Sequence, residues 1–401
     1  MTTRRNFLKT GTAAAATGIF FCGCGLLHSA HAQAPARSML PVSVNGKRVK
    51  TIDVHAHCNF HEAGGLLGEE GRKRQAGPIN GAEETFIDIK QRLAAMDSQA
   101  VDMEVLSINP FWYDKERDLA GQIVKIQNEK LAEFCAAHSD RFAAFASLTL
   151  QAPDLAVQEL ETAIKKQGLK GAAIGGSMNN IDFSDRQFHP VWAKAEELGC
   201  LIFIHPVPVP ELNKRLSGNG GLTNTIGNPL DTTIALSHLI FEGTLDRFPG
   251  LKICAAHGGG YLPSYAHRSD AVCSTFPDRC TLTLKKKPTE YLRQLHYDSI
   301  VFEPEAMRHL IAEVGVGQIV MGTDYPYHWN QTAVDRILAT PGASDADLAA
   351  MLGGTASRLL GIKPAYSRWP IGVRSPCRPL RRHRQARYCR SRRCSGPAAP
   401  E

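Results

Sequence analysis

The sequence predicts an α/β protein, a closed (β/α)8 or TIM barrel, with a leader before it and a basic tail after it. Two observations point there. Eight short apolar runs of β character alternate with amphipathic helical stretches, as parallel strands joined by crossover helices require. Several of those runs also end on histidine or aspartate, at the rim where such a barrel builds its chemistry.

The predicted strands are Thr51–His55, Val101–Ser107, Phe142–Leu148, Gly171–Gly175, Leu201–His205, Lys252–His257, His296–Val301 and Gln318–Gly322. Helical periodicity covers Glu84–Ser98, Gly121–His138, Asp154–Gln167, Phe188–Leu198, Leu230–Arg247, Glu305–Val314 and Ser344–Leu360. The last opens with Ser344 and Asp347 at capping-box spacing. Gly168, Gly199 and Gly250 fall where helices should stop. The stretch from Cys58 to Glu83 is rich in glycine and charge and lacks periodicity, so it reads as a long loop leaving the active rim.

Both ends differ from the body. Residues 1–32 combine Arg4-Arg5, Phe7-Leu8-Lys9, an apolar run and Ala30-His31-Ala32. This reads as a signal peptide of twin-arginine type with cleavage expected after Ala32, which would imply export to the periplasm. The apolar run is interrupted by Gly and Cys, so no membrane span should remain after cleavage. Residues 33–48 read as a linker, 49–363 as one barrel domain and 364–401 as an arginine-rich tail unable to bury a core. The leader holds Arg4, Arg5 and Lys9, and the tail ten arginines against Glu401. Of the chain's net +7 the body therefore keeps −5, which argues against nucleic acid as the barrel's partner. Cys58, Cys200 and Cys254 read as small buried hydrophobes. Cys273 and Cys280 can pair in an exported protein, although folding before export argues against reliance on that bond.

The polar strand ends carry the functional reading. His55 and His57 are two apart in one strand, so their side chains share a face, roughly 6–7 Å apart at Cα. His205, His257 and Asp324 close the fifth, sixth and eighth strands. Three imidazoles and a carboxylate form a donor set that zinc accepts. Phe111-Trp112-Tyr113, just after strand two, offers an aromatic wall for a planar substrate; His328 and His61 are weaker pocket candidates.

The segments Ile52-Asp53-Val54-His55-Ala56-His57, Ile204-His205-Pro206, Ala256-His257-Gly258-Gly259-Gly260 and Gly322-Thr323-Asp324-Tyr325-Pro326 together resemble the amidohydrolase-related metal-dependent decarboxylases. That family includes the aminocarboxymuconate-semialdehyde and resorcylate decarboxylases. The resemblance runs from Thr51 to Ile362 and takes in Arg92-Leu93-Ala94-Ala95-Met96-Asp97 and Leu251-Lys252-Ile253-Cys254. It implies a metal held by His55, His57, His205 and Asp324, with His257 and Asp324 as catalytic groups. It also implies that Arg268 holds a substrate carboxylate, in some members across a homodimer interface, and Trp112 is taken as a second substrate contact. Binuclear relatives carry a lysine at the end of strand four. Here Ala172-Ala173-Ile174-Gly175 has none, so one divalent ion is expected, zinc first and manganese second. The activity implied is decarboxylation of a small aromatic or dienoic carboxylic acid; the alternative is hydrolysis of a lactone, ester or amide on the same scaffold. An early substrate-binding arginine of the muconate-type enzymes has only Arg72 and Arg74 as candidates.

Overall fold

The structure is a computed structural model that describes residues 41–69, 88–280, 282, 284–327 and 332–363. These belong to one compact unit, which ends at Pro364. Residues 1–32, residues 364–401, Arg72, Arg74 and His328 lie outside the described residues.

Eight parallel strands build the barrel: β1 (Ile52–His57), β2 (Met103–Ser107), β3 (Phe142–Ala144), β4 (Gly171–Ile174), β5 (Leu201–Ile204), β6 (Lys252–Ala255), β7 (His296–Asp298) and β8 (Ile319–Val320). β1 to β3 pair in order, and so do β4 to β8. Parallel bridges Ala146–Ala172 and Asp53–Met321 join the two groups into a cylinder. The expected TIM barrel is the fold. Closing the sheet on itself removes the open edges that a free parallel sheet would leave.

The helices α1 (Ile89–Ser98), α2 (Arg117–Ala137), α3 (Pro153–Lys165), α4 (His189–Leu198), α5 (Asn228–Phe241), α6 (Leu262–Thr275), α7 (Pro304–Val314) and α8 (Thr355–Leu360) follow the strands in turn. Asp88 caps α1, and Gly199 ends α4 with φ 61°. Three helical expectations change. Leu230–Arg247 is two helices, because Gly243 at φ 73° breaks the run before Thr244–Arg247. Ser344–Leu360 does open with the Ser344–Asp347 capping box, yet a wider turn over Ala350–Gly354 interrupts it. α6 was not anticipated as a supporting helix, since it buries little beyond Leu262, Pro263 and Ala266. His61–Gly65 is a short helix inside the expected first loop.

Two layers of core result. Ile52, Val54, Met103, Val105, Phe145, Leu201, Phe203, Cys254 and Val320 fill the barrel, and a larger apolar layer lies between strands and helices. Cys58, Cys200 and Cys254 are buried free thiols, and Cys273 in the last turn of α6 is bonded to Cys280 beyond it.

Candidate metal centre

β1 delivers two histidines to the barrel mouth through a bulge. Asp53 pairs with Glu104 but Ala56 pairs with Leu106, so β1 carries one residue more than β2 over that interval. Ile52 and Val54 face inward below the bulge; His55 and His57 face inward above it, His55 packing on the Phe203 ring. Without the extra residue, alternation would separate Val54 and His55 onto opposite faces. Asp53, buried in the bulge, accepts from the backbone N–H of His55 and Thr323 (both 3.0 Å) and from the Thr323 hydroxyl (2.5 Å). Burial, then the Glu104 charge, pushes its carboxyl up to about 8.

His205 continues the inward alternation of Leu201 and Phe203 one residue beyond β5. Its Nδ1 donates to the Pro206 carbonyl at 3.0 Å, which leaves Nε2 as its ligand atom. Asp324 sits four residues past β8 at φ 63°, its N–H bonded to the His55 carbonyl at 2.8 Å. Its Oδ1 lies 2.9 Å from His57 Nε2 and 3.2 Å from His55 Nε2, and those two nitrogens are 3.1 Å apart. One ligand atom each from His55, His57, His205 and Asp324 lies within 4.8 Å of the others, and all four residues are buried.

His257 stands beside this group. Its Nε2 is 3.7 Å from Asp324 Oδ2, and its side chain is 15% exposed against 4% or less for His55, His57 and Asp324. The turn that carries it is strained: His257 has φ 53°, and Gly258, Gly259 and Gly260 follow at 61°, 80° and 66°. A Cβ on Gly260 would stand 2.1 Å from the Pro229 carbonyl oxygen, so the glycine run is a packing requirement. Positive φ at both His257 and Asp324 is strain stored at the mouth.

The electrostatics sort the donors. Burial pushes His57 and His205 down, His205 well below the ordinary range with help from the neighbouring imidazoles, so both stand neutral. Burial would also lower His55, but the carboxylates of Asp324 and Asp298 outweigh it and raise it to about 10. Burial alone would raise Asp324; the imidazoles around it, His55 foremost, hold it well below the usual carboxylate range. The Asp324 and Asp298 carboxylates thus draw positive charge to this spot, which a proton on His55 supplies when no ion does. Neutral imidazoles and an ionised carboxylate are the forms in which these groups ligate, so the donor set fits a divalent cation.

Beneath the mouth, Arg92 is 1% exposed. It pairs with Glu104 at 2.6 Å, donates to the His57 carbonyl and lies 4.7 Å from the centre of the Tyr325 ring. The same guanidinium thus grips the strand ends that carry His57 and Asp324.

The other expected residues are placed elsewhere. Arg268 is exposed on α6 and forms no hydrogen bond or ion pair among the described residues. Trp112 is fully enclosed, its indole N–H donating to the Leu148 carbonyl at 2.9 Å, while Phe111 next to it is only partly buried. His61 is exposed, and His238 and His267 face acids at 3.4 Å (Asp182) and 3.1 Å (Glu313). Sequence reasoning missed Asp298 at the end of β7, whose Oδ2 is 2.6 Å from His55 Nδ1, and Tyr327, whose ring is 5.7 Å from that of His57. Asp298 carried the same signal as Asp324, an acid closing a strand.

A closed parallel barrel with three histidines and an aspartate at its C-terminal mouth defines a metal-dependent barrel enzyme. The chain belongs to the amidohydrolase family (Amidohydro_2), whose model matches residues 52–362. It is similar to 2-amino-3-carboxymuconate-6-semialdehyde decarboxylase of Dictyostelium discoideum, with 30% identity over 276 residues, 68% of this chain and 76% of that protein. Among solved structures, 5-carboxyvanillate decarboxylase of Sphingomonas paucimobilis superposes with a TM-score of 0.72 at 27% identity, over 79% of this chain and 100% of that one. A dihydroxybenzoic acid decarboxylase of a Polaromonas species, solved with bound manganese and the inhibitor 2-nitroresorcinol, gives 0.70 at 25% identity, over 78% and 97%.

Proposed function

We propose that this enzyme is a carboxy-lyase that removes carbon dioxide from a small aromatic or dienoic carboxylic acid, using one divalent ion held by His55, His57, His205 and Asp324. The observation that carries the reading is the convergence of those four buried donors within 4.8 Å. Zinc suits three imidazoles and a carboxylate, and the manganese in the Polaromonas neighbour makes manganese the competing choice. When bound, the ion supplies the positive charge that orients substrate oxygens and stabilises an electron pair delocalised onto them.

The chain's own groups do the rest. As the bond from ring or diene carbon to carboxyl breaks, the electron pair stays on the substrate, and a proton must reach that carbon. His257, more exposed than His55, His57 and Asp324, and Asp324, 3.7 Å from it, are the two groups placed to carry that proton. Arg268 keeps its assignment as a substrate contact on the resemblance alone; Trp112, read as a contact from its place after strand two, is fully enclosed and gives up that role. Arg268 then acts across a homodimer interface, and the partly buried Phe111 beside Trp112 is the aromatic residue nearer to solvent.

The test is metal analysis of the purified protein followed by a screen of hydroxybenzoates and carboxymuconates for carbon dioxide release, run beside esters and lactones. Carbon dioxide release that disappears on chelation and returns with zinc or manganese is the expected result. Turnover of esters or lactones alone would transfer the assignment to the hydrolases. We also assign residues 1–32 to twin-arginine export into the periplasm, on Arg4-Arg5 and the Ala30-x-Ala32 site. A mature N-terminus at Gln33 in the periplasmic fraction is the outcome expected from mass spectrometry.

A further inference from the structure

The structure assigns Asp298 the role of a positioning residue that sets the tautomer of His55 and, through the same carboxylate, the backbone of His257. The inference rests on the metal reading above and concerns how this chain prepares its donors.

Asp298 ends β7 and is fully buried. Its Oδ2 lies 2.6 Å from His55 Nδ1 and accepts the backbone N–H of His257 at 2.9 Å. Its Oδ1 accepts the backbone N–H groups of Gly258 at 2.9 Å and Ile300 at 3.0 Å. A carboxylate has no proton to give, so each of these contacts runs toward Asp298. His55 must therefore carry hydrogen on Nδ1, and Nε2 is the nitrogen left to ligate, where His57 Nε2 and Asp324 Oδ1 stand 3.1 and 3.2 Å away. The bonds to His257 and Gly258 brace the strained turn that holds His257 at φ 53°. A single side chain on a seventh strand thus fixes one donor's ring and the mount of the group beside the ion. Carboxylate–histidine pairs behind metal ligands act in this way generally, and removing the carboxylate weakens metal affinity about 10–100-fold.

Asp298→Asn keeps the shape and one acceptor oxygen. With that oxygen on the N–H groups of Gly258 and Ile300, the amide NH2 faces His55 Nδ1, which must then accept. The ring proton moves to Nε2, the atom aimed at the other donors.

The experiment uses the full-length protein, labelled with 15N at histidine, stripped of metal and titrated with zinc alone. In the unmodified protein His55 Nδ1 should carry an exchange-protected, far-downfield proton, with Nε2 shifted as the zinc-bound nitrogen. Asp298→Asn, folded by circular dichroism, should bind zinc about 10–100-fold more weakly in a chelator competition. An unprotonated or zinc-bound Nδ1 on His55 overturns the assignment, and needs no variant to fold. So does zinc affinity within twofold of the parent in a folded Asp298→Asn. If the unmodified protein takes up no zinc or manganese at all, the four-donor reading fails first and takes this one with it.

Discussion

At the N-terminal end of the barrel Asp102 and Arg141 pair off with their neighbours, whereas at the C-terminal end three histidines and an aspartate crowd onto one point. At the first end, Asp102 accepts from the Thr51 backbone N–H at 2.8 Å and from Arg48 at 2.6 Å, and its own N–H donates to the Thr51 hydroxyl at 2.9 Å. Arg141 reaches Asp97 at 2.8 Å and the Asp102 carbonyl at 2.9 Å. At the second end, His55, His57, His205 and Asp324 bring one ligand atom each within 4.8 Å of the others. Buried ring nitrogens without a partner among the described residues occur at both ends, His57 Nδ1 and His257 Nδ1 here and His296 Nδ1 at the first. So does positive φ, at His257 and Asp324 here and at Ala100 there. One end is optimised for the folded state alone. The other gathers its donors at one point, so substitutions at the two ends should fail in different currencies.

The largest difference is expected at the mouth. His55→Ala and Asp324→Ala should drop metal content to background and abolish turnover. His257→Ala should retain the metal and lose about 10²–10⁴ in rate, the ordinary worth of a positioned proton carrier. Atomic absorption on the three purified variants, alongside their rates, checks the division. Equal metal content in all three would place His257 among the ligands or remove the others from that role.

The contrast also governs what the sequence revealed. Strand and helix order was legible because buried parallel strands and amphipathic helices each have a hydrophobic period, and His55, His57, His205 and Asp324 stood out as polar residues ending apolar runs. The bulge in β1 was not legible: a strict two-residue alternation brings His55 and His57 to one face equally well, and only pairing with β2 reveals the extra residue. Asp298 escaped notice because the expected seventh strand ran on to Val301, which put it in mid-strand, whereas the strand ends at Asp298 itself. α6 escaped because only a few of its residues are buried. Trp112 looked like a pocket wall because sequence shows an aromatic residue after a strand but not which way its ring turns; its indole N–H is already committed to Leu148.

A pH-dependent effect separates the ends next. His296 opens β7, and burial pushes its imidazole down to about 4 from an ordinary 6.5, with Arg358 and Lys252 adding to the shift. Between those values the unfolded chain takes up a proton that the folded chain refuses. Stability is therefore unaffected above pH 6.5 and falls as the pH drops toward 4, by about 3 kcal/mol for this group. His296→Leu should flatten that part of the profile. Urea unfolding of parent and variant at pH 7 and pH 4.5 measures it, and parallel losses in both would acquit His296.

The smallest effect tests the N-terminal end directly. Asp102→Ala leaves the backbone N–H of the fully buried Thr51 without its acceptor and frees Arg48, and an orphaned buried donor costs about 1–3 kcal/mol. None of those groups touches His55, His57, His205 or Asp324, so metal content and rate per folded molecule should match the parent. Denaturant midpoint, metal content and initial rate, measured on one preparation, decide the matter. A lowered midpoint with unchanged metal and rate keeps the two ends separate. Lost metal would mean that the Thr51 anchor at the base of β1 is transmitted six residues along the strand to His57, and the division of labour drawn here between the ends of the barrel would have to be given up.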